Sequence, residues 1–445
     1  MSDLDENKTS DFMIEKFKER PINKKKLLKR TLTTAGLAVL FGLVACVTFL
    51  VLEPVISNKL YPEEEPQEVV FPQDQDEMSP EDMLSDNMQI ESQINQIVET
   101  GEDVTLDRDQ VQSILSNVVL SKDNYRQIYN SLSGYVEEMN KSMVTVTGVT
   151  SNIDWFNNVE QSRNQSSGII VANNGRQLLA LVNYSSLGRT EQLTLEFCNG
   201  VQADAQLKSL DPDTNLAIVT VELDNLDRDM VEKQIQVASL GSSTVKNMIG
   251  TPVIALGSPM GSRGSIGYGM ITATGTQDTI ADMNYTFLQT DIYGSQSGEG
   301  VLFNLQGQVV GIITGNKSGT EMRNLITAYG ITELKKQIEK MSNGEKLAYL
   351  GICGVDVTEE ANEKWNVPYG AFVKEVKMDS PSMLAGIQQG DIIVKIDEKD
   401  ITKYNDYISY LMQLSPGQTV NITVMRQAQN SYREVEFEME LGRKE

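Results

Sequence analysis

The sequence predicts a mostly β protein that is preceded by one transmembrane helix. Three observations support this prediction: an uncharged apolar stretch at residues 31–52, many short β-type runs between residues 143 and 331, and a second group of such runs after residue 347. Short strands at regular spacing, separated by turn residues, are typical of β-barrels and sandwiches. The chain length of 445 residues corresponds to roughly two or three domains of about 150 residues each.

The composition argues against several classes of function. The formal net charge is −24, whereas nucleic-acid binding needs clustered Lys and Arg. Cys46, Cys198 and Cys353 are the only cysteines, and the chain contains no histidine. Three scattered thiols form no disulfide framework and lack metal-ligand spacing, and a zinc site without His is not expected. We therefore expect no cofactor, no metal and no nucleic-acid partner.

The N-terminal region has the pattern of a membrane anchor. Residues 1–30 are polar and end in a basic run, and residues 31–52 read TLTTAGLAVLFGLVACVTFLVL. A helix needs about 20 apolar residues to cross a bilayer. A signal peptide would have a shorter apolar core and a small-residue cleavage site, which residues 53–56 (EPVI) do not offer. We therefore expect a single-pass protein of the cell membrane, with a cytoplasmic N-terminus by the positive-inside rule and the bulk of the chain extracytoplasmic.

Residues 53–120 are rich in Glu and Asp, with prolines through the first half. Their apolar content is too low for a core, so we expect a solvated acidic stalk or linker. A short helix at residues 88–98 is compatible with the apolar spacing. An acidic run also suits basic partners, but the stalk is the preferred interpretation.

The β-rich region begins with a predicted helix, Ser121 to Asn140, whose apolar residues share one face and whose first residues offer a cap. An alternating strand follows at residues 143–149. The clearest further strands are residues 168–171, 178–182, 193–197, 216–221, 252–257 and 269–273.

A serine in a Gly-rich turn lies in the segment QTDIYGSQSGEGVL, residues 289–302. This segment resembles the nucleophile loop of the HtrA-like trypsin-like serine proteases, in which Thr-Asp and a spacer precede Gly-Asn-Ser-Gly-Gly-Pro-Leu. Ser297 is the serine nearest the nucleophile position, although an ungapped count back from Leu302 places Gly298 there. Glu299 departs from the family pattern. The resemblance implies a two-barrel trypsin-like fold for residues 121–342.

The same resemblance implies that the catalytic triad is degenerate. In the family, the base is a histidine, and this chain has none. Asn183 or Tyr184 occupies the histidine region, and we favour Tyr184. The acidic position lies in DPDTNLAIV, residues 211–219, where the family Asp has become Asn215. A serine hydroxyl is a poor nucleophile until a base removes its proton, so Ser297 with Tyr184 and Asn215 at the lost positions predicts a pseudoprotease.

The C-terminal region resembles a PDZ domain. Tyr349, Leu350, Gly351 and Ile352 resemble the Tyr-Ile-Gly-Ile carboxylate-binding loop of HtrA-like proteins, and SPSMLAGIQQGDII at residues 380–393 resembles a second motif of that domain. The resemblance implies that a peptide adds to a sheet edge and that backbone N–H groups hold its terminal carboxylate. Glycine allows the backbone to approach closely. We expect these four residues to bind peptide, rather than to serve only as core.

A helix at about residues 403–413 would form the other wall of that site, with Tyr407 among its candidate residues. The predicted organisation is a basic tail (1–30), a transmembrane helix (31–52), an acidic stalk (53–120), a trypsin-like domain (121–342) and a PDZ domain (347–443).

The preferred function is therefore a membrane-anchored, extracytoplasmic, catalytically inactive HtrA-like homologue that binds peptides or protein C-termini. The alternative is an active serine-type endopeptidase in protein quality control that uses Ser297 with a base other than histidine. Assembly as a homo-trimer is implied by the resemblance alone.

Overall fold

The computed structural model describes residues 32–43, 66–72, 122–153, 159–188, 190, 192–245, 248–314, 324–429 and 431–444. The chain divides into two compact units, residues 1–65 and 66–445. In the first unit, residues 32–43 are helical with exposed side chains. No helix among the described residues is long and apolar enough to cross a membrane. The rest of the predicted span 31–52, and the helix predicted at 88–98, lie outside the described residues.

The second unit begins its β structure with a closed barrel of six strands in the order β1-β2-β3-β6-β5-β4. Neighbouring strands are antiparallel throughout. The apolar side chains of β3 and β6 are buried almost without interruption because these strands lie against the barrel interior on one side and against other elements on the other. The strands are β1 (Met143–Ile153), β2 (Val159–Asn173), β3 (Gln177–Asn183), β4 (Gln192–Phe197), β5 (Gln202–Asp211) and β6 (Leu216–Glu222).

A second sheet of seven strands follows, in the order β11-β8-β9-β10-β13-β12-β7, and the additional pairing of β11 with β12 closes six of them into a second barrel. One hydrophobic core contains residues of both barrels, including Leu179 of the first and Phe303 of the second. The strands are β7 (Ser239–Leu240), β8 (Pro252–Ser258), β9 (Ser265–Ile280), β10 (Met283–Tyr293), β11 (Glu299–Asn304), β12 (Gln308–Thr314) and β13 (Leu325–Gly330).

Three helices accompany the barrels: α1 (Lys122–Asn140), α2 (Arg228–Lys233) and α3 (Ile331–Asn343). The C-terminal end of α3 holds a segment that the sequence assigned to the solvated stalk. Val69 is 8% exposed and exchanges two hydrogen bonds of 2.9 Å with the side chain of Asn343. Residues 66–72 therefore differ from the expected stalk, because Val69 and Phe71 pack on the barrel core.

The remaining chain forms a five-stranded sheet in the order β15-β16-β17-β19-β20, with β18 beside β17 and a separate pair of β14 with β21. The strands are β14 (Ala348–Tyr349), β15 (Ile352–Asp356), β16 (Ala371–Val376), β17 (Ile392–Ile396), β18 (Lys399–Asp400), β19 (Thr419–Ala428), β20 (Ser431–Glu440) and β21 (Gly442–Arg443). The helices are α4 (Glu359–Trp365), α5 (Pro381–Ala385) and α6 (Tyr404–Leu411). The mostly β architecture, with a double barrel before a smaller sheet domain, is confirmed.

Candidate functional site

The loop between β10 and β11 contains the candidate nucleophile, and the backbone N–H groups of Ser295, Ser297 and Gly298 in it are hydrogen-bonded within the protein. The Ser295 N–H donates to the Pro259 carbonyl at 2.9 Å, and the Gly298 N–H donates to the Ser295 carbonyl at 2.9 Å. The Ser297 N–H donates to Ser295 Oγ at 3.2 Å. An oxyanion hole needs N–H groups aimed at a substrate oxygen. In this conformation these three groups already have acceptors.

Only glycine fits at residue 298 in this loop. A Cβ there would lie 2.3 Å from the Pro259 carbonyl oxygen. Ser297 is exposed, and its Oγ lies 3.1 Å from Ser295 Oγ. Among the described residues, no ionisable side chain hydrogen-bonds to Ser297, so this structure provides no base for its hydroxyl.

Tyr184 and Asn215, the residues at the two lost triad positions, are brought together by their backbones. The Tyr184 N–H donates to the Asn215 carbonyl at 2.7 Å. The Tyr184 hydroxyl lies 3.5 Å from Thr190 Oγ1, beside a cavity of about 430 Å³ that Gln192 and Asp204 also line. The nearest polar partner of the Tyr184 hydroxyl is therefore Thr190, and no hydrogen bond joins this hydroxyl to Ser297 in the described part of the chain.

Glu299, at the start of β11, is the buried carboxylate nearest in sequence to the candidate nucleophile. It is 7% exposed and accepts a hydrogen bond from Ser166 Oγ of β2 at 2.6 Å. It also accepts one from Ser186 Oγ, in the 3-10 turn that follows β3. Burial raises the pKa of the Glu299 carboxyl, and the hydrogen bonds from the two serines oppose that shift.

These contacts join the two barrels next to the loop that contains Ser297. Glu299 belongs to the second barrel, whereas Ser166 and Ser186 belong to the first. A further contact of 3.1 Å joins Ser167 Oγ of β2 with Ser258 Oγ of β8. The sequence marked Glu299 only as a departure from the family pattern and gave no indication of the four serines at this contact. The local signal for this contact was the charge of Glu299 within a run of small and polar residues.

The loop between β14 and β15 directs three consecutive N–H groups at one carboxylate. Leu350 N and Gly351 N donate to Asp282 Oδ2 at 2.7 Å each, and Ile352 N donates to Asp282 Oδ1 at 2.9 Å. Gly351 has φ = +80°, a conformation that glycine adopts without strain. Asp282 is in the turn of the β9–β10 hairpin, so the carboxylate bound by this loop belongs to the second barrel.

The Asp282 carboxylate is completely enclosed. It is 4% exposed and accepts a fourth hydrogen bond, from the Tyr407 hydroxyl of α6, at 2.5 Å. Burial raises the pKa of Asp282, and the hydrogen bonds from Tyr407 and from the three N–H groups oppose that shift. The sequence predicted a wall containing Tyr407, but gave no indication of Asp282.

The predicted peptide-binding residues differ in accessibility. Leu350 and Ile352 are fully buried in the core of the C-terminal sheet domain, whereas Tyr349 is half-buried. Their side chains are thus part of the core in this conformation, and it is the backbone of the loop that contacts a carboxylate.

A buried ion cluster links Lys444, which follows the C-terminal strand β21, to the first barrel. Lys444 is 6% exposed, and its Nζ lies 2.8 Å from Asp213 Oδ2 and 3.2 Å from Asp211 Oδ1. Although burial opposes ionisation of Asp211, the nearby Lys444 charge and the Thr214 hydrogen bonds hold the pKa of that carboxyl below its usual range.

Two domain families match the chain. Residues 166–312 match the family described as trypsin-like peptidase domain, and residues 348–437 match the family described as PDZ domain. The match to the second family covers the loop that holds Asp282 and the helix α6, so the carboxylate-binding geometry lies within a PDZ domain.

Two named serine proteases are similar to the chain at modest identity. A probable periplasmic serine endoprotease DegP-like of Hahella chejuensis is 28% identical over 291 residues, which are 64% of this chain and 58% of that protein. A serine protease Do-like HtrA of Lactococcus lactis subsp. cremoris is 28% identical over 340 residues, 71% of this chain and 79% of that protein. The chain thus spans little more than half of the first relative.

A solved structure shares the fold. A single-substitution form of the HtrA-type protease AlgW with decapeptide aligns with 70% of this chain and 97% of its own, at 22% identity and a TM-score of 0.50. Together, the two domain matches show a trypsin-like peptidase domain followed by a PDZ domain, and the chain is similar in sequence and fold to HtrA proteases.

Proposed function

We propose that this chain is a catalytically inactive HtrA-like protein that binds peptides or protein C-termini through its PDZ domain. The observation that carries the proposal is the position of Glu299, a buried carboxylate next to the loop that contains Ser297. Glu299 accepts hydrogen bonds from Ser166 and Ser186 of the other barrel, and among the described residues the side chain that hydrogen-bonds with Ser297 Oγ is Ser295. With no histidine in the chain, the usual base of serine chemistry is absent.

Peptide binding is supported by the geometry of the PDZ loop. Three N–H groups of Leu350, Gly351 and Ile352 converge on one carboxylate, which is how backbone groups capture a C-terminal carboxylate. The AlgW structure described above contains a decapeptide. We therefore propose that Tyr349, Leu350, Gly351 and Ile352 form the terminal-carboxylate site.

Location and assembly are part of the same proposal. The uncharged segment 31–52 with its basic flank supports a single-pass anchor with the PDZ and trypsin-like domains outside the cytoplasm. The Hahella relative is a probable periplasmic protein, which supports that side of the membrane. The homo-trimer implied by the family resemblance is retained as a proposal.

The test is labelling of the purified full chain with a fluorophosphonate probe, beside Ser297→Ala and Ser186→Ala. The expected result is no labelling of any of the three folded proteins. Labelling of the parent protein that disappears in Ser297→Ala would contradict the proposal and support the endopeptidase alternative. Loss in Ser186→Ala instead would make Ser186 the nucleophile and Glu299 its base.

A further inference from the structure

The proposed peptide site already contains a ligand, and the ligand comes from the same chain. Asp282 accepts hydrogen bonds from all three N–H groups of the loop at 2.7–2.9 Å. A terminal carboxylate of a bound peptide would need the same three donors. Each N–H has one hydrogen to donate, so Asp282 and a peptide carboxylate cannot occupy the loop at the same time.

The strand edge beside the loop is occupied by the same hairpin. β15 is the edge strand of its sheet, and an added peptide strand would bond to its free carbonyl groups. The Asp282 N–H donates to the Ile352 carbonyl at 2.8 Å, and Asn284 Nδ2 donates to the Gly354 carbonyl at 3.3 Å. Residues 282 and 284 therefore contact alternate residues of β15, as successive contacts of an added strand would.

The space between β15 and the helix α6 is also filled. Tyr404 and Tyr407 of α6 stack with ring centroids 5.2 Å apart, and both are buried. The Tyr404 hydroxyl donates to the Ile352 carbonyl at 2.7 Å. A Cβ at Gly354 would lie 2.5 Å from the Tyr404 ring. A side chain of a bound peptide thus has no space between β15 and α6 until these rings move.

Contacts outside the hairpin also join the trypsin-like domain to the C-terminal region. Lys444, which follows β21, pairs with Asp213 of the first barrel, and Lys340 Nζ of α3 donates to the Leu414 carbonyl at 3.2 Å. A cavity of about 700 Å³ borders Ala281 of the hairpin and Tyr349 of the loop. Solvent therefore reaches the side of the hairpin tip, although Asp282 itself is enclosed.

We propose that the Asp282 carboxylate is an internal ligand that closes the PDZ site, and that an external chain with a free C-terminal carboxylate binds only when the β9–β10 hairpin leaves the loop. This inference rests on the proposed function of the PDZ domain. It makes the trypsin-like domain a regulator of peptide binding: any partner that pulls the hairpin away opens the site. The apparent affinity for peptide is then reduced by the fraction of molecules that are open.

The test compares peptide affinity of the full chain in four forms: the parent protein, Asp282→Ala, Asp282→Asn and the control Asp400→Ala. Asp400 is an exposed aspartate of β18. The probe is an array of decapeptides that end in Val, Leu, Ile, Phe or Ala, each made as the free acid and as the C-terminal amide. The best free-acid peptide of the array then gives a dissociation constant for each protein by fluorescence anisotropy.

We expect Asp282→Ala to bind the best free acid at least about 10-fold more tightly than the parent protein. Asp282→Asn, which keeps the shape and loses the charge, should lie between them, and Asp400→Ala should match the parent. Amide peptides should bind none of the four. Equal affinity of the parent and Asp282→Ala would overturn this inference and leave the proposed function intact.

Failure of every form to distinguish free acids from amides would instead overturn the proposed peptide function, and this inference with it. Protection of the Leu350, Gly351 and Ile352 amides from hydrogen exchange provides a second measurement that does not depend on peptide. Protection that is lost in Asp282→Ala and kept in Asp400→Ala supports the internal ligand. Equal protection in these two variants overturns it.

Discussion

Ser166 Oγ of the first barrel donates a 2.6 Å hydrogen bond to the Glu299 carboxylate of the second. A carboxylate in a trypsin-like cleft would serve chemistry if it oriented or deprotonated a catalytic group. Here the hydrogen-bond partners of the Glu299 carboxylate are serine hydroxyls of the opposite barrel. These hydroxyls satisfy its acceptor atoms, and the chain has no histidine for it to orient. The contact explains why an ionisable residue is tolerated at a position that is almost fully buried.

Glu299 gives the protein a defined pH dependence. Burial raises the pKa of its carboxyl above the value in the unfolded chain. Its contribution to stability is therefore fully present below the unfolded value of about 4.3 and is lost as the pH rises through the folded pKa. Glu299→Gln cannot ionise, so the melting temperature of the variant relative to the parent should increase as the pH rises from about 4.3 towards neutrality.

The measurement is thermal unfolding of Glu299→Gln and of the parent protein over this pH range. Glu222→Gln is the control, because it removes a carboxylate that is partly exposed. Glu222 is 36% exposed and pairs loosely with Arg176. A constant difference between Glu299→Gln and the parent at every pH would contradict the raised pKa.

Lys444 should be far more important for stability than an exposed lysine that also has a partner. Removing its charge in Lys444→Ala leaves Asp211 buried without a cation, and breaking a buried pair in this way costs about 3–5 kcal/mol. Lys377 pairs with Glu375 at the surface, so Lys377→Ala should cost at most about 1 kcal/mol. Urea denaturation of the two variants measures the difference, and similar midpoints would contradict the assigned role of the cluster.

Gly351 should be less replaceable than Gly390, although both have a left-handed backbone. Their φ values are +80° and +92°, so alanine is strained at either position, by about 1 kcal/mol. A Cβ at Gly351 would also lie 2.3 Å from the Cβ of Ser380, whereas nothing lies within 4 Å of a Cβ at Gly390. Gly351→Ala should therefore cost about 1–3 kcal/mol more in unfolding free energy than Gly390→Ala. Equal costs would show that the loop can shift away from Ser380.

Acetate should stabilise Asp282→Ala and not the parent protein. The substitution leaves three N–H groups and the Tyr407 hydroxyl around an empty carboxylate position. At ten times its dissociation constant, acetate would add about 1.4 kcal/mol by mass action. Thermal unfolding in sodium acetate, with sodium chloride at the same ionic strength as control, measures the effect. The absence of any acetate-specific shift would mean that the loop does not bind free carboxylates in the full chain.

The local features of the fold were predictable because their signals are local. The helix predicted from Ser121 to Asn140 is observed at Lys122–Asn140, since apolar periodicity and a polar start mark it. In the segment 380–393, Ser380 caps α5 and Gly386 ends it, as the order Ser-Pro…Gly suggests. These features need only neighbouring residues.

The hydrogen bonds of Asp282 and Glu299 could not be predicted, because their partners are far away in the sequence. Asp282 is separated by 68 to 125 residues from its hydrogen-bond partners in the loop and in α6, and Glu299 is separated by 133 residues from Ser166. In sequence, Asp282 resembles any polar residue of a hairpin turn. Its role appears only when the hairpin and the PDZ loop are placed side by side.

We propose that the trypsin-like domain does not cleave peptides. The most direct measurement is mass spectrometry of β-casein after prolonged incubation with the full chain, beside Ser297→Ala and Ser186→Ala prepared identically. We expect intact casein, or the same trace fragments in all three samples. Fragments made by the parent protein and lost in either serine variant would contradict it and establish this chain as a protease without histidine.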